Sequence, residues 1–135
     1  MATISTIYQG QLRTQATHNQ SGAQIITDAP TDNHGKGEAF SPTDLFAASL
    51  GSCILTIAGI AAQTHGFSID GARIETQKVM NQNPRRVGEI ILDIYLPANN
   101  YTDREKRMIE ATAAMCPVGQ SLHPEVRTTV RWHYE

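Results

Sequence analysis

The hydrophobic pattern is dominated by one stretch without any charged residue, which runs from position 45 to position 64 and reads LFAASLGSCILTIAGIAAQT. Ser41 and Pro42 just before it are typical of a helix start, and Gly66 just after it is typical of a helix end. The stretch is therefore predicted to be a helix. Larger apolar residues recur along it at steps of four, three, four and three, which places them on one face: Phe46, Leu50, Cys53, Ile57 and Ile60.

The other sides of this predicted helix are also uncharged, but their residues are small: Ala47, Ala48, Gly51, Ala58, Gly59 and Ala62. A helix that is apolar or small all round is normally buried all round, and a chain of 135 residues leaves much of its surface exposed. We therefore expect two subunits to pack around a pair of such helices. A membrane span is the alternative, because the stretch is long enough to cross a bilayer. Its scattered Ser, Thr and Gln residues and the absence of a flanking Lys/Arg cluster argue against that alternative.

The rest of the chain alternates in the manner of strands, apart from one further helix. The pattern predicts strands over 3–13, 23–28, 69–80, 90–96 and 126–134, and a helix over 103–115. Thr102 and Glu105 form a capping-box signature at the start of that helix. The first two strands form a predicted hairpin that places Arg13 near its far end. The order predicts a single α+β domain over residues 1–135 with mostly antiparallel strands.

Composition narrows the choice of compartment and partner. The formal net charge of −2 gives no indication of a basic surface that would bind nucleic acid or an acidic membrane. The first residues, MATISTIYQG, lack a basic region followed by an apolar one, so no signal peptide is expected. Two cysteines without such a signal favour a reducing compartment, and the cytoplasm is the default.

The two cysteines are the candidate chemical groups. Cys53 on an apolar helix face is by itself most simply a small hydrophobic residue. Cys116 precedes Pro117, which breaks the preceding helix and begins a short new turn whose backbone N–H groups stabilise a thiolate. Together they permit a peroxidatic pair, in which one sulfur becomes a sulfenic acid and the other condenses with it to a disulfide. A thiol in an apolar pocket needs a neighbouring cation to ionise, and Arg13 is the candidate.

The runs GKGEAFSPTDLFAASLGSC and MCPVGQSLHPEV resemble the OsmC/Ohr superfamily of peroxide-reducing proteins, in particular the OsmC-like branch with SPTDL before the first cysteine. The resemblance implies an OsmC-like fold, with antiparallel strands around a long buried central helix, in an intertwined homodimer. It implies that Cys53 is the peroxidatic cysteine, that Cys116 resolves the intermediate as an intramolecular disulfide, and that Arg13 activates the thiolate. It also implies organic hydroperoxides as substrates, a dithiol such as a lipoyl group as reductant, and no cofactor. Phe46 and Ile57, with their apolar neighbours Leu50 and Ile54, are candidates to line the substrate pocket.

One position departs from the pattern of the superfamily. Related members carry a glutamate ten positions before the first cysteine, and this glutamate pairs with the arginine. This chain has Thr43 at that position. Glu38 in the preceding loop is the candidate to supply a carboxylate instead.

Two other functions remain open. The chain is alternatively a stress-response protein that kept the fold, lost efficient peroxidase turnover and binds a small molecule. A metal site formed by Cys53, Cys116 and either His34 or His123 is the third possibility, although ligand pairs at short spacing such as C-x-x-C are absent.

Overall fold

The computed structural model describes all residues from 1 to 135 and confirms the α+β class. Its elements in chain order are β1 Ile4–Gly10, β2 Arg13–His18, β3 Gln24–Asp28, a 3-10 turn Thr31–Asn33, α1 Pro42–Thr64, β4 Arg73–Asn81, β5 Arg86–Leu96, α2 Asp103–Ala113, α3 Pro117–Gln120 and β6 Arg127–Tyr134. The chain divides into two compact units, Met1–Phe46 and Ala47–Glu135, called here the N-terminal and the C-terminal unit. Each is described by itself.

The N-terminal unit is a three-stranded antiparallel sheet in the order β1-β2-β3. The prediction of one strand over 3–13 was wrong, because the chain turns back at Gln11 and Leu12, which have φ angles of 54° and 64°. This turn lacks the Asn-Gly or Asp-Gly signal that usually marks a tight hairpin, so the pattern did not reveal it. Arg13 therefore begins β2 and is the register partner of Asp28 at the end of β3.

The long helix begins and ends as predicted. The backbone N–H of Ser41 donates to the Asp44 carboxylate at 2.9 Å, and the N–H of Asp44 donates to the Ser41 hydroxyl at 3.0 Å. This reciprocal pair satisfies two of the N–H groups that a helix start leaves without partners. Gly66 follows the helix with a φ of 78°, the left-handed conformation expected after a helix end.

The face of α1 that is buried differs from the predicted one. The buried residues of α1 are mostly small: Ala47, Leu50, Gly51, Ile54, Ala58 and Ala62. Of the predicted apolar face only Leu50 is buried, whereas Cys53 and Ile57 are half-buried and Ile60 is 56% exposed. The small residues let the helix approach the sheet of the C-terminal unit closely, since a Cβ on Gly51 would lie 3.4 Å from Ile74 Cδ1. By length and composition alone α1 is also apolar enough to cross a membrane, a criterion that core helices meet as well.

The C-terminal unit holds the hydrophobic core. β5 is the central strand of the sheet β4-β5-β6, and its alternate residues Ile90, Leu92 and Ile94 are fully buried. β4 and β5 pair antiparallel, as do both strand pairs of the N-terminal sheet, so the mostly antiparallel prediction is confirmed. The exception is the parallel pairing of β5 with β6.

The second helix begins as the sequence predicts and ends earlier. The predicted capping box of α2 is present: Thr102 and Glu105 exchange hydrogen bonds of 2.9 and 3.1 Å. However, α2 ends at Ala113 instead of at the predicted Met115.

Candidate functional site

The two cysteines lie next to each other in the C-terminal unit, and both are free thiols. Cys53 lies near the middle of α1 and is half-buried. Cys116 is fully buried at the N-cap of α3, where its sulfur accepts a hydrogen bond from the backbone N–H of Gly119 at 3.2 Å. The Cys53 thiol lies close enough to influence the ionisation of Cys116. The fold therefore brings together two residues that are far apart in the sequence.

The surroundings of Cys116 decide which state its thiol prefers. Burial raises the pKa of the Cys116 thiol, and the neighbouring Cys53 raises that pKa further. The backbone N–H groups of Gly119 and Val118 act in the opposite direction without reversing the result. The surroundings of Cys116 thus favour its neutral thiol form.

Both sulfurs border the hydrophobic core. Cys116 belongs to the cluster of buried core residues, and Cys53 packs against that cluster. Among the residues expected to line a substrate pocket, Leu50 and Ile54 are buried in the core and Phe46 is 40% exposed. The chemical environment of the pair is apolar on the side of the core.

Arg13 and Glu38 also lie together, in the N-terminal unit, and a third residue joins them. Arg13 Nε donates to Asp28 Oδ1 at 2.7 Å and Nη2 donates to Oδ2 at 2.8 Å, which is a bidentate ion pair. Arg13 Nη2 also lies 3.1 Å from Glu38 Oε1. The carboxylate of Asp28 is only 1% exposed, whereas that of Glu38 is 65% exposed.

Asp28 is the residue that sequence reasoning missed. The hydrogen bond from Arg13 lowers the pKa of the Asp28 carboxyl, and the same bond raises the pKa of the Arg13 guanidinium. Both groups are therefore charged at neutral pH. The signal for the pairing is the register of β2 with β3, which only becomes visible once the turn at Gln11 and Leu12 is recognised.

The remaining sequence candidates have local roles. Thr43 Oγ1 lies 3.2 Å from the hydroxyl of Ser41, within the start of α1. His123 Nδ1 accepts a hydrogen bond from the backbone N–H of Glu125 at 3.0 Å. No group of three or more His, Cys, Asp or Glu side chains is arranged to hold a metal ion. The proposed cysteine-histidine metal site therefore has no ligand set.

The fold and the site together define the class: an α+β protein with two neighbouring free cysteines, one of them on the long helix α1. The family model described as OsmC-like protein matches residues 35–131. The chain therefore belongs to the OsmC-like family, within the OsmC/Ohr superfamily, which includes organic hydroperoxide resistance proteins.

Solved structures agree with this membership. A proposed osmotic stress induced and detoxification response protein from Psychrobacter arcticus is 49% identical, with 98% of this chain and 96% of that chain covered and a TM-score of 0.94. An OsmC-like protein from Mycoplasma pneumoniae is 20% identical, with coverage of 97% and 94% and a TM-score of 0.80. The organic hydroperoxide resistance protein OhrB of Bacillus subtilis is 18% identical, with coverage of 98% and 97% and a TM-score of 0.67. The last two show the fold alone. No curated protein matches the chain.

Proposed function

We propose that the protein is a thiol-dependent peroxidase that reduces organic hydroperoxides, with Cys53 as the peroxidatic and Cys116 as the resolving cysteine. The observation that carries the proposal is the pair of neighbouring free thiols, one half-buried and one fully buried, at the edge of an apolar core. Membership in a superfamily that includes organic hydroperoxide resistance proteins supports it. The apolar neighbours favour an alkyl group over water, and hence an organic hydroperoxide as substrate.

In the first step of the proposed reaction, Cys53 attacks the peroxide. Cys116 is poorly suited to it, because its thiol is neutral and has no exposed surface. The Cys53 thiolate attacks the terminal oxygen of the hydroperoxide, an S–O bond forms and the O–O bond breaks. The alkoxide leaves and takes a proton to become the alcohol. The sulfur is oxidised to a sulfenic acid, and the peroxide is reduced.

The second step uses Cys116. Its sulfur attacks the sulfenic sulfur of Cys53, the S–S bond forms, and the hydroxyl group leaves with the proton of the thiol as water. An external dithiol then reduces the disulfide, becomes a disulfide itself and returns one hydrogen to each cysteine. A lipoyl group is the dithiol that the resemblance to the superfamily favours.

Arg13 is proposed to stabilise the thiolate of Cys53, and Glu38 to help hold the guanidinium. A guanidinium remains charged at any pH at which a peroxidase works, and its planar fork binds oxygen atoms well. Its ion pairs in the N-terminal unit leave the Nη1 group without a protein partner, and that group is therefore available to a ligand.

Thiol trapping with mass mapping tests the proposal. One equivalent of an alkyl hydroperoxide should convert both free thiols of the wild-type chain, which has 2 cysteines, into a Cys53–Cys116 disulfide. In Cys116→Ser the same dose should produce a trappable sulfenic acid on Cys53. In Cys53→Ser the remaining thiol should stay reduced. The proposal would be wrong if the reduced wild-type protein consumed no alkyl hydroperoxide in the presence of a dithiol.

The active assembly is proposed to be a homodimer. No hydrophobic residue of the N-terminal unit is buried, and Ile7, Tyr8 and Ile25 of its sheet are 64%, 63% and 49% exposed. A three-stranded sheet needs an apolar face packed against something to be stable. Ile60 on α1 is 56% exposed in addition. Exposed apolar surface on this scale is typical of an interface.

Sedimentation analysis of Ile60→Glu tests the dimer. The charge should shift the protein to monomer without loss of helical content, because Ile60 is 56% exposed within the chain. Ala111→Glu places the same charge on the exposed side of α2 and should leave the assembly unchanged. A wild-type chain that remains monomeric at micromolar concentration would contradict the proposal.

The second candidate function is a stress-response protein that binds a small molecule and has weak or no turnover. Thr43 favours it, because its hydroxyl cannot provide the negative charge that a glutamate supplies at that position. Turnover in the presence of a dithiol separates the two functions. A single slow oxidation that no dithiol reverses would favour the second.

A further inference from the structure

We propose that Asp28 is the carboxylate that positions the Arg13 guanidinium, in the role that the resemblance assigns to a glutamate at the position of Thr43. This inference rests on the proposed function, since it concerns the residue that orients the cation for the reaction of Cys53. Asp28 is a positioning residue, because it acts through Arg13.

The ion pair between Asp28 and Arg13 is bidentate. Both Asp28 oxygens accept hydrogen bonds from Arg13, at 2.7 Å from Nε and 2.8 Å from Nη2. Two parallel bonds fix the plane of the guanidinium as well as its position, which a single contact does not do. The pairing of the two residues in register on neighbouring strands fixes the distance between their backbones. The carboxylate and the guanidinium are thus held by the sheet itself.

Asp28 is itself held by further hydrogen bonds. Its Oδ2 accepts a third hydrogen bond, from the backbone N–H of Glu38 at 3.1 Å, and its own backbone N–H donates to Phe40 at 3.0 Å. The loop can return over β3 because of glycines: a Cβ on Gly35 would lie 1.7 Å from the carbonyl oxygen of Ala29. The carboxylate is 1% exposed, so water does not compete for its oxygens.

Glu38 contacts Arg13 less extensively than Asp28 does. Glu38 makes one bond to Arg13, at 3.1 Å, and 65% of its side chain is exposed. Exposed ion pairs of this kind contribute little, because water and salt compete with them. Glu38 therefore adjusts the charge around Arg13, whereas Asp28 determines its orientation.

Thr43 stands where related members carry the glutamate. Its hydroxyl is uncharged and lies 3.2 Å from the Ser41 hydroxyl at the start of α1. With a buried bidentate carboxylate already on Arg13, a glutamate at this position is not needed to hold the guanidinium. Asp28 thus supplies the carboxylate that the superfamily has at the position of Thr43.

Stopped-flow measurement of the two chemical steps in Asp28→Asn tests the inference. The amide keeps the size of the side chain but presents N–H donors to the N–H donors of Arg13 and Glu38. The rate of Cys53 oxidation should fall by about 10- to 100-fold, as expected for a misplaced catalytic group. The rate of disulfide formation should stay within about twofold, because Cys116 acts without Arg13. A purely structural defect would slow both steps.

Rescue and control variants sharpen the test. Asp28→Asn combined with Thr43→Glu restores a carboxylate at the position used by relatives and should recover most of the lost rate. Glu38→Gln should cost no more than about threefold. Asp103→Asn, on the exposed start of α2, should change neither step. If Asp28→Asn fails to fold, Arg13→Lys keeps the charge but loses the bidentate fork, and it should show the same selective loss of the first step.

The outcomes separate the inference from the proposed function. If the wild-type protein consumed no peroxide, the proposed function itself would be wrong. An active wild type together with an Asp28→Asn protein that oxidises Cys53 at the wild-type rate, or that loses both steps equally, would overturn the role of Asp28. A double variant no faster than Asp28→Asn alone would overturn the equivalence with the position of Thr43. Exchange of the Arg13 Nε proton, followed by NMR, provides a readout independent of activity and should accelerate in Asp28→Asn.

Discussion

Ile109 is the only buried residue of α2, and it is 1% exposed. The other side chains of this helix are half-buried or exposed, so Ile109 is the side chain of α2 that lies deepest in the core of the C-terminal unit. α2 ends at Ala113, and Cys116 follows three positions later. The packing of one isoleucine therefore determines how firmly the segment that leads to Cys116 is held.

The cost of truncating this side chain follows from its burial. Ile109→Ala removes buried methyl and methylene groups and leaves a cavity, which typically costs about 2–5 kcal/mol of unfolding free energy. Ile109→Val removes one methylene and should cost about 0.5–1.5 kcal/mol. Arg107→Ala, on the exposed side of the same helix, should stay within about 0.5 kcal/mol.

Two measurements check the reasoning. Urea unfolding at a fixed protomer concentration should show the loss of free energy with an unchanged m-value. In a Cys53→Ser background, labelling of the buried Cys116 thiol should accelerate by about 30-fold for a loss of 2 kcal/mol, since each 1.4 kcal/mol corresponds to a factor of about ten. If the unfolding free energy fell by this amount while the labelling rate stayed constant, Cys116 would become accessible without α2, and the reasoning would be refuted.

Three further predictions follow from hydrogen bonds and charges. Thr102→Ala removes one half of the capping box of α2 and should cost about 1 kcal/mol in urea unfolding, whereas Glu105→Gln, which can still form the box, should cost less. Arg13 lowers the pKa of Asp28, so the stabilisation from this pair should be complete above the ordinary carboxyl pKa of about 3.9 and be lost as the pH falls through the lowered pKa. Acid unfolding that is identical in Asp28→Asn would contradict this. Burial raises the pKa of Cys116, so the contribution of this thiol to stability should be complete below the ordinary thiol pKa of 9.0 and be lost as the pH rises through the raised pKa. Cys116→Ala should abolish this loss of stability at alkaline pH.

Local chemistry explains which parts of the fold were predictable. Helix boundaries depend on residues that are neighbours in the sequence, such as Ser41 with Asp44 and Thr102 with Glu105, so their signals survive without a structure. Pro117 likewise places Cys116 at the N-cap of α3 by a purely local effect. The start of α1 and the positions of both cysteines on helices were therefore accessible from the sequence.

Features that depend on contacts between distant residues were not accessible. The buried face of α1 is the one that permits close approach to the sheet, and Gly51 and Ala58 suit this better than the larger Ile57 and Ile60. The parallel pairing of β5 with β6 depends on where the chain returns after α2 and α3, which no local pattern encodes. The partner of Arg13 depends on strand register, and the register depends on a turn without a recognisable signal.

The exposed face of α1 links the proposed chemistry to the proposed assembly. Cys53 is half-buried against the core and belongs to the stripe of apolar residues on α1 that ends at the exposed Ile60. A second subunit that covers this stripe also removes water from around the thiol, and loss of water disfavours a thiolate unless a cation replaces it. Association must therefore supply positive charge as well as apolar contact. Within the proposed function Arg13 is that charge, and a carboxylate as rigid as Asp28 keeps it correctly oriented while leaving Nη1 available.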